Sequence, residues 1–213
     1  MKTHLTLFSA ALLTVCVALA PPKKDKGWIS LFDGKSLDGW KVGKNADSFK
    51  VEDGAIVVNG NVAHLFYVGP VNDHNFKNFD FKAQVMTTPG SNSGMYFHTE
   101  YQEGGWPKKG FEVQVNNSHT DWRRTGSLYA IQDVKEQVVK DNEWYTEEIV
   151  VQGKKVTIKI NGKTVNEYTE PDNVERPADM ADRKIASGTF ALQGHDPKSK
   201  VYFKDIMVKP LPD

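Results

Sequence analysis

The run YTEEIVVQGKKVTIKINGKTVNEYTE, from Tyr145 to Glu170, restricts what this chain can fold into more than any other stretch. Val156, Ile158 and Ile160 alternate with Thr157 and Lys159, the two-residue period of a strand with one apolar and one solvated face. Gln152-Gly153 and Asn161-Gly162 break the run into three strands, and Asn-Gly between alternating segments is a strong hairpin signal. The same grammar recurs along the chain. SFKVEDGAIVVNG reads as two strands joined at Glu52-Asp53-Gly54. NFDFKAQVMT carries Phe79, Phe81, Ala83 and Val85 on one face. SGMYFHTEY, GFEVQV, GSLYAI, SGTFALQGH and KVYFKDIMVKPL each read as a further strand. No long stretch has the 3.6-residue period of a helix. Residues 171–186, PDNVERPADMADRKIA, read as a charged loop with at most one short helix. About a dozen strands at this spacing predict an all-β fold of two antiparallel sheets, a sandwich or barrel.

The first twenty residues stand apart from this pattern. Lys2 and His4 precede an apolar run from Leu5 to Ala20, which has the length of a secretory signal peptide. PPKKDK, residues 21–26, reads as a polar tether, and residues 27–213 as one domain. Val15 rather than a small residue precedes Cys16, which argues against a lipoprotein anchor. No later run is long enough to cross a bilayer. The expectation is an exported protein, periplasmic or extracellular. Cys16 is the only cysteine, so the mature domain has neither disulfide nor thiol chemistry. Lys plus Arg number 27, as do Asp plus Glu, so no basic field recruits nucleic acid.

Several strands carry a polar face that is not the usual Lys, Thr and Ser. In GFEVQV, Phe111, Val113 and Val115 oppose Glu112 and Gln114. In SGMYFHTEY, Met95 and Phe97 oppose Tyr96 and His98. In GTFALQGHD, Phe190 and Leu192 oppose Gln193 and His195. In GSLYAI, Leu128 and Ala130 oppose Ser127 and Tyr129. An acid, amides, imidazoles and aromatic rings on four strands suit a groove more than a wet surface. No strand is assigned between Asn61 and Lys77, where His64 and His74 read as surface residues. Asp33 and Asp38, flanked by Lys35, make a poor calcium cage and read as turn residues.

An ordered set of segments carries a resemblance. GWISLFDGKSLDGWK, SNSGMYFH, GFEVQV, TGSLYAI, NEWYTEEIVVQGKKVTIKINGKTV, GTFALQGHD and VYFKDIMVKPL follow one another from Gly27 to about Leu211. This series resembles the 3-keto-disaccharide hydrolase domain family. The resemblance implies a concanavalin A-like jelly roll, an exported bacterial protein, and cleavage of glycosides already oxidised to a ketone at C3.

That chemistry sets its own requirements. A C3 ketone acidifies the proton on C2, so a base can remove it and the C1 substituent can leave by elimination. Water then adds, giving net hydrolysis. The site needs a base working near neutral pH, a donor or cation for the enolate oxygen, and an acid for the leaving group. His195 suits the base. Glu112 could be the acid, the base or a metal ligand. Gln114 and Gln193 could hold sugar hydroxyls, with Tyr96, His98 and Tyr129 around them. Arg123 or Arg124 could polarise the ketone. A divalent metal ion held by Glu112 and His195, with His98, is a further expectation. Retaining glycosidases of this architecture carry acids at E-x-D-x-x-E spacing on one strand. Here Glu112 is followed by Gln114 and Asn117, which argues against hydrolysis by paired carboxylates. The competing readings are a non-catalytic lectin-like carbohydrate-binding module, using aromatics such as Trp106 or Trp122, and a surface interaction domain without a small-molecule site. Keto-sugar chemistry also requires an upstream sugar 3-dehydrogenase.

Overall fold

Alternation does most of the folding work here, because each strand can bury one face only by turning it against another sheet. The computed structural model describes residues 26–213. The proposed export segment and all but the last residue of the tether lie outside the described residues. Thirteen strands form two antiparallel sheets, and the only helical elements among the described residues are short 3₁₀ turns. No helix among them is long and apolar enough to cross a membrane.

The larger sheet contains β1 (Ile29–Ser30), β3 (Phe49–Glu52), β4 (Ala55–Val58), β6 (Phe79–Thr87), β9 (Tyr145–Gln152), β10 (Lys155–Ile160), β11 (Lys163–Thr169) and β13 (Val201–Pro210). Its order is β11-β10-β9-β6-β13-β4-β3, with β1 also pairing β13. Asp53 and Gly54 both take positive φ in the β3–β4 turn, as do Asn161 and Gly162 between β10 and β11. This is the geometry that makes Asp-Gly and Asn-Gly hairpin pairs. β6 buries every second residue, Phe79, Phe81, Ala83 and Val85 among them, as its alternation requires.

The smaller sheet runs β2 (Trp40–Val42), β5 (Ala63–Tyr67), β12 (Thr189–Gly194), β7 (Ser93–Thr99) and β8 (Phe111–Val115). The core lies between the sheets. Phe190 from β12 stacks on Phe81 at 4.0 Å and on Phe76 at 4.5 Å, and meets Phe79 edge-on at 4.9 Å. Such pairs contribute about 0.5–1.5 kcal/mol each beyond area burial. Leu31, Phe32 and Trp40 tie the N-terminal segment to this core, and the Trp40 indole N–H donates to the Leu31 carbonyl at 2.7 Å.

Whereas β6, β9 and β10 of the larger sheet alternate buried and more exposed residues, four of the five strands of the smaller sheet are buried on both faces. Every residue of β5, β7, β8 and β12 is buried. Loops cover the face turned away from the core, and the polar residues of these strands lie beneath them.

Three sequence expectations are corrected. Ala63–Tyr67 is a strand, and His64 on it is buried, not a surface residue. The segment GSLYAI is not a strand. Leu128 makes only isolated bridges to Val113 and Gln132, and Ala130 has φ +58°. His98 leaves the polar face altogether. Thr189 pairs with Thr99 but Ala191 with Tyr96, so β7 carries one extra residue there. That bulge reverses the alternation. His98, at φ +54°, turns in to pack edge-on against Phe79 and Phe97.

Candidate active site

Two rows of side chains cross the outer face of the smaller sheet. Register places Tyr96 between Ala191 on β12 and Glu112 on β8. One step along, His64 faces Gln193 and Gly94 faces Gln114. The Tyr96 hydroxyl donates to Glu112 Oε2 at 2.7 Å, and Gln193 Nε2 donates to Glu112 Oε1 at 2.9 Å and to the Tyr96 oxygen at 3.0 Å. Gly94 makes this closed triangle possible. A Cβ there would stand 2.6 Å from Glu112 Oε1 and 2.8 Å from its Cγ. Glu112 is only 5% exposed. Burial pushes its carboxyl above the usual carboxylate range, against the opposing pull of Tyr96, the Arg183 charge and Gln193. Burial, and then the Glu112 charge, holds the Tyr96 hydroxyl well above its ordinary pKa.

These residues floor a pocket of about 320 Å³, at the small end of ligand sites and suited to one or two sugar rings. Its walls come from loops: Trp106 and Lys108 after β7, Asp121 and Tyr129 after β8, Asp179 and Arg183 before β12, and His195 just after it. Trp106 is 47% exposed, and its indole lies 5.7 Å from the His64 ring and 5.5 Å from His195. Burial, then the His195 charge, brings His64 down to about 3, so it stays neutral, and its Nε2 has no hydrogen-bond partner.

His195 is oriented from behind. Its Nδ1 lies 2.8 Å from Asp196 Oδ2. The carboxylate also accepts from the Lys198 and Ser199 N–H groups and the Ser199 hydroxyl. Burial works against its charge, but the bonds from His195, Ser199 and Lys198 prevail and hold Asp196 at about 2. An ionised carboxylate can only accept, so Nδ1 donates and Nε2 of neutral His195 keeps its lone pair.

Glu112, His195, Gln114, Gln193, Tyr96 and Tyr129 therefore all line one pocket, although Tyr129 arrives on a turn and not a strand. His98 is not there. Its Nε2 meets the Lys77 carbonyl at 2.9 Å, its Nδ1 accepts from the Ala186 N–H at 3.3 Å, and burial lowers it to about 4. The two arginines expected at the ketone are committed elsewhere. Arg123 bridges Asp121 and Asp133 and lies over the Trp122 and Tyr129 rings. Arg124 Nη1 donates to the His119 and Asp121 carbonyls and to Asn116 Oδ1, pinning the loop. Neither lines the pocket.

The cation that does is Arg183, which sequence reasoning left inside the charged loop. It is nearly buried, donates to the Tyr129 carbonyl at 3.3 Å, and acts electrostatically on Glu112 and Tyr96. Asn92, Asp121 and His119 were also missed. A usable signal was present: each imidazole has an aspartate close behind it, His119-Thr120-Asp121 and His195-Asp196.

For a metal, the described residues group His119, His195 and Asp196, with one donor atom from each within 4.8 Å of the others. Glu112 and His98 do not belong to that group. Among these donors, His195 Nδ1 is engaged with Asp196 and His119 Nδ1 accepts the Asp121 N–H at 3.0 Å, so the Nε2 atoms of the two rings lie outside these bonds.

Comparison with known proteins gives the site a context. Residues 27–209 match the family of 3-keto-alpha-glucoside-1,2-lyase-like domains. A protein of Bacteroides thetaiotaomicron named 3-keto-disaccharide hydrolase is 28% identical over 179 residues, covering 71% of this chain and 61% of the relative's length. A crystal structure from Parabacteroides distasonis, provisionally assigned as a glycosyl hydrolase, superposes with TM-score 0.73 at 27% identity, covering 92% of this chain and 99% of the other. A Bacillus subtilis protein with a galectin-like fold shares the architecture, with TM-score 0.57 at 11% identity, over 83% of this chain and 92% of that one.

Proposed function

Because the chain belongs to the 3-keto-alpha-glucoside-1,2-lyase-like family, we propose that it cleaves glycosides already oxidised to a ketone at C3. His195 Nε2 removes the C2 proton, and Asp196 behind it stabilises the imidazolium that forms. Arg183 takes the place expected for Arg123 or Arg124, holding the C3 oxygen as it gains charge. The glycosidic oxygen leaves C1, and water then adds across the new double bond. Glu112 is a positioning residue: both its oxygens hold donors, so it fixes the Tyr96 hydroxyl and the Gln193 amide that would grip the sugar. Gln114 and Tyr129 complete the floor and wall.

The observation that supports this reading is the His195–Asp196 pair opening onto the pocket. It supplies one imidazole base where a retaining glycosidase uses two carboxylates on a strand. The residues after Glu112 at the corresponding spacing, Gln114 and Asn117, hold Asn92, Thr87 and the Lys140 carbonyl. The product of a sugar 3-oxidation must reach this enzyme, so a dehydrogenase acts upstream. Export through residues 1–20 would place the reaction outside the cytoplasm.

The test is release of aglycone from 3-keto-trehalose, compared with unoxidised trehalose. Release from the keto-sugar alone is expected, with deuterium appearing at C2 in D₂O. His195→Ala and Arg183→Gln should each lower turnover by about 100-fold or more. A His195→Ala variant with wild-type turnover would refute the proposal. Glycan binding without cleavage, dependent on the exposed Trp106, would identify the lectin-like alternative.

A further inference from the structure

His195 lines the pocket, and the His119 ring faces the His195 ring with centroids 5.5 Å apart and planes at 65°. No hydrogen bond joins them; instead each ring is fixed by different chemistry on its Nδ1. His195 Nδ1 meets the Asp196 carboxylate, so it carries the proton and Nε2 is an acceptor. His119 Nδ1 meets donors: the Asp121 backbone N–H at 3.0 Å and the Asn92 side-chain amide at 3.5 Å. The Asn92 amide is oriented by its other end, because Asn92 Oδ1 accepts from Gln114. His119 Nδ1 is therefore a lone pair, and neutral His119 carries its proton on Nε2. Protonating Nδ1 would break both bonds, so the surroundings hold this ring neutral. Its backbone is also anchored, with His119 N–H donating to Asn116 Oδ1 at 2.9 Å and its carbonyl accepting from Arg124 at 2.8 Å.

We propose that His119 is a second catalytic imidazole of opposite polarity to His195, a neutral donor that bonds the glycosidic oxygen as it leaves C1. This rests on the elimination reading above. A neutral imidazole held in one tautomer can polarise or stabilise a developing oxyanion without giving up its own proton. The step balances within the substrate and His195. Nε2 of His195 takes the C2 proton, and the pair left on C2 passes through the enolate to form the C1–C2 double bond. The C1–O bond breaks with its electrons on oxygen, where the His119 N–H meets them. The proton on His195 then transfers to that oxygen, releasing the alcohol and restoring neutral His195. C1 and C2 are adjacent in the ring, so acceptor and donor must stand close together, as these two rings do.

The experiment uses leaving groups of different quality. His119→Phe removes the donor but keeps an aromatic ring. On 3-keto-trehalose, whose leaving alkoxide is basic, turnover should fall by about 100-fold, the usual effect of losing one oxyanion donor. On 4-nitrophenyl 3-keto-glucoside, whose phenolate needs no donor, the fall should be less than about threefold. C2 exchange in D₂O should persist in the variant. His119→Gln, which retains an amide donor, should recover at least about tenfold over Phe. An equal loss on both substrates, or loss of C2 exchange, would overturn the proposal, as would wild-type activity that disappears on chelation and returns with a divalent metal. If the wild type releases nothing from any 3-keto-glycoside, the elimination reading fails and this inference with it. An active wild type with no leaving-group dependence in His119→Phe defeats this inference alone.

Discussion

Replacing Gly94 by alanine tests how the Glu112 triangle is built. The new Cβ would stand 2.6 Å from Glu112 Oε1, whereas ordinary contact begins at 3.4 Å, so the carboxylate must retreat by about 0.8 Å. Its bonds from Tyr96 and Gln193, at 2.7 and 2.9 Å, have no such slack. A hydrogen bond to a charged group contributes about 1.5–3 kcal/mol, so weakening two of them costs about 2–4 kcal/mol. For a domain of this size that lowers Tm by about 5–15 °C. The backbone itself offers no objection, since Gly94 is absent from the positive-φ residues. In a Glu112→Ala background the clash partner is gone, and the same substitution should be neutral or stabilise by about 0.5 kcal/mol through the unfolded chain. Urea unfolding of wild type, both single variants and the double variant gives the coupling energy directly. A coupling of about 2 kcal/mol or more is expected. If Gly94→Ala costs the same in both backgrounds within about 0.5 kcal/mol, the carboxylate does not occupy the space that glycine leaves, and the reasoning is wrong.

Two further predictions concern buried ionisable groups. Burial holds His64 at about 3 in the fold, while an unfolded histidine titrates near 6.5. The unfolded chain therefore takes the proton first, and the stability present above pH 6.5 is lost as the pH falls toward 3. His64→Phe should remove about 2 kcal/mol of that loss between pH 7 and pH 5, read as the difference between urea midpoints at the two pH values; parallel pH responses would contradict it. Glu147 on β9 is fully buried with neither carboxyl oxygen partnered, and burial pushes its pKa well above the ordinary range. A raised folded pKa contributes stability below the unfolded value near 4.3 and loses it as the pH rises. Glu147→Met, of similar volume, should therefore stabilise at pH 7 by about 1–3 kcal/mol, with the gain shrinking below pH 4. Destabilisation at pH 7 would mean that the carboxyl is better satisfied than its surroundings indicate.

Glu112, Gln114 and Gln193 could be read from the sequence because β8 and the relevant end of β12 are regular, so period two assigns their faces without tertiary information. His98 could not. Its face depends on one extra residue in β7, and the bulge is determined by packing against β12 and not by the local pattern. The flanking glycines hold a retrospective clue: a side chain at Gly110 or Gly188 would collide with the backbone at His98. His64 was missed for a related reason. The run AHLFY is buried on both faces, so it lacks the polar-apolar contrast that marks a half-buried strand.

The loops were the least legible part, and they carry most of the charge at the site. Arg123, Arg124 and Arg183 are chemically the same side chain, and no local pattern distinguishes them. Their fates differ because of what surrounds each in space. Arg123 has two aspartates within reach, Arg124 has a ring of carbonyls, and Arg183 rests on the Tyr129 ring with the Glu112 charge nearby. A guanidinium whose donors are taken by its own loop shapes that loop, whereas one placed against a buried carboxylate at a pocket wall can meet a ligand. The same distinction separates the imidazoles. His98 has both nitrogens engaged by backbone groups and is part of the framework. His195 has Nδ1 engaged and Nε2 left for chemistry. Function in this fold follows from which polar atoms the framework leaves uncommitted, and that inventory requires the three-dimensional arrangement of loops over the sheet.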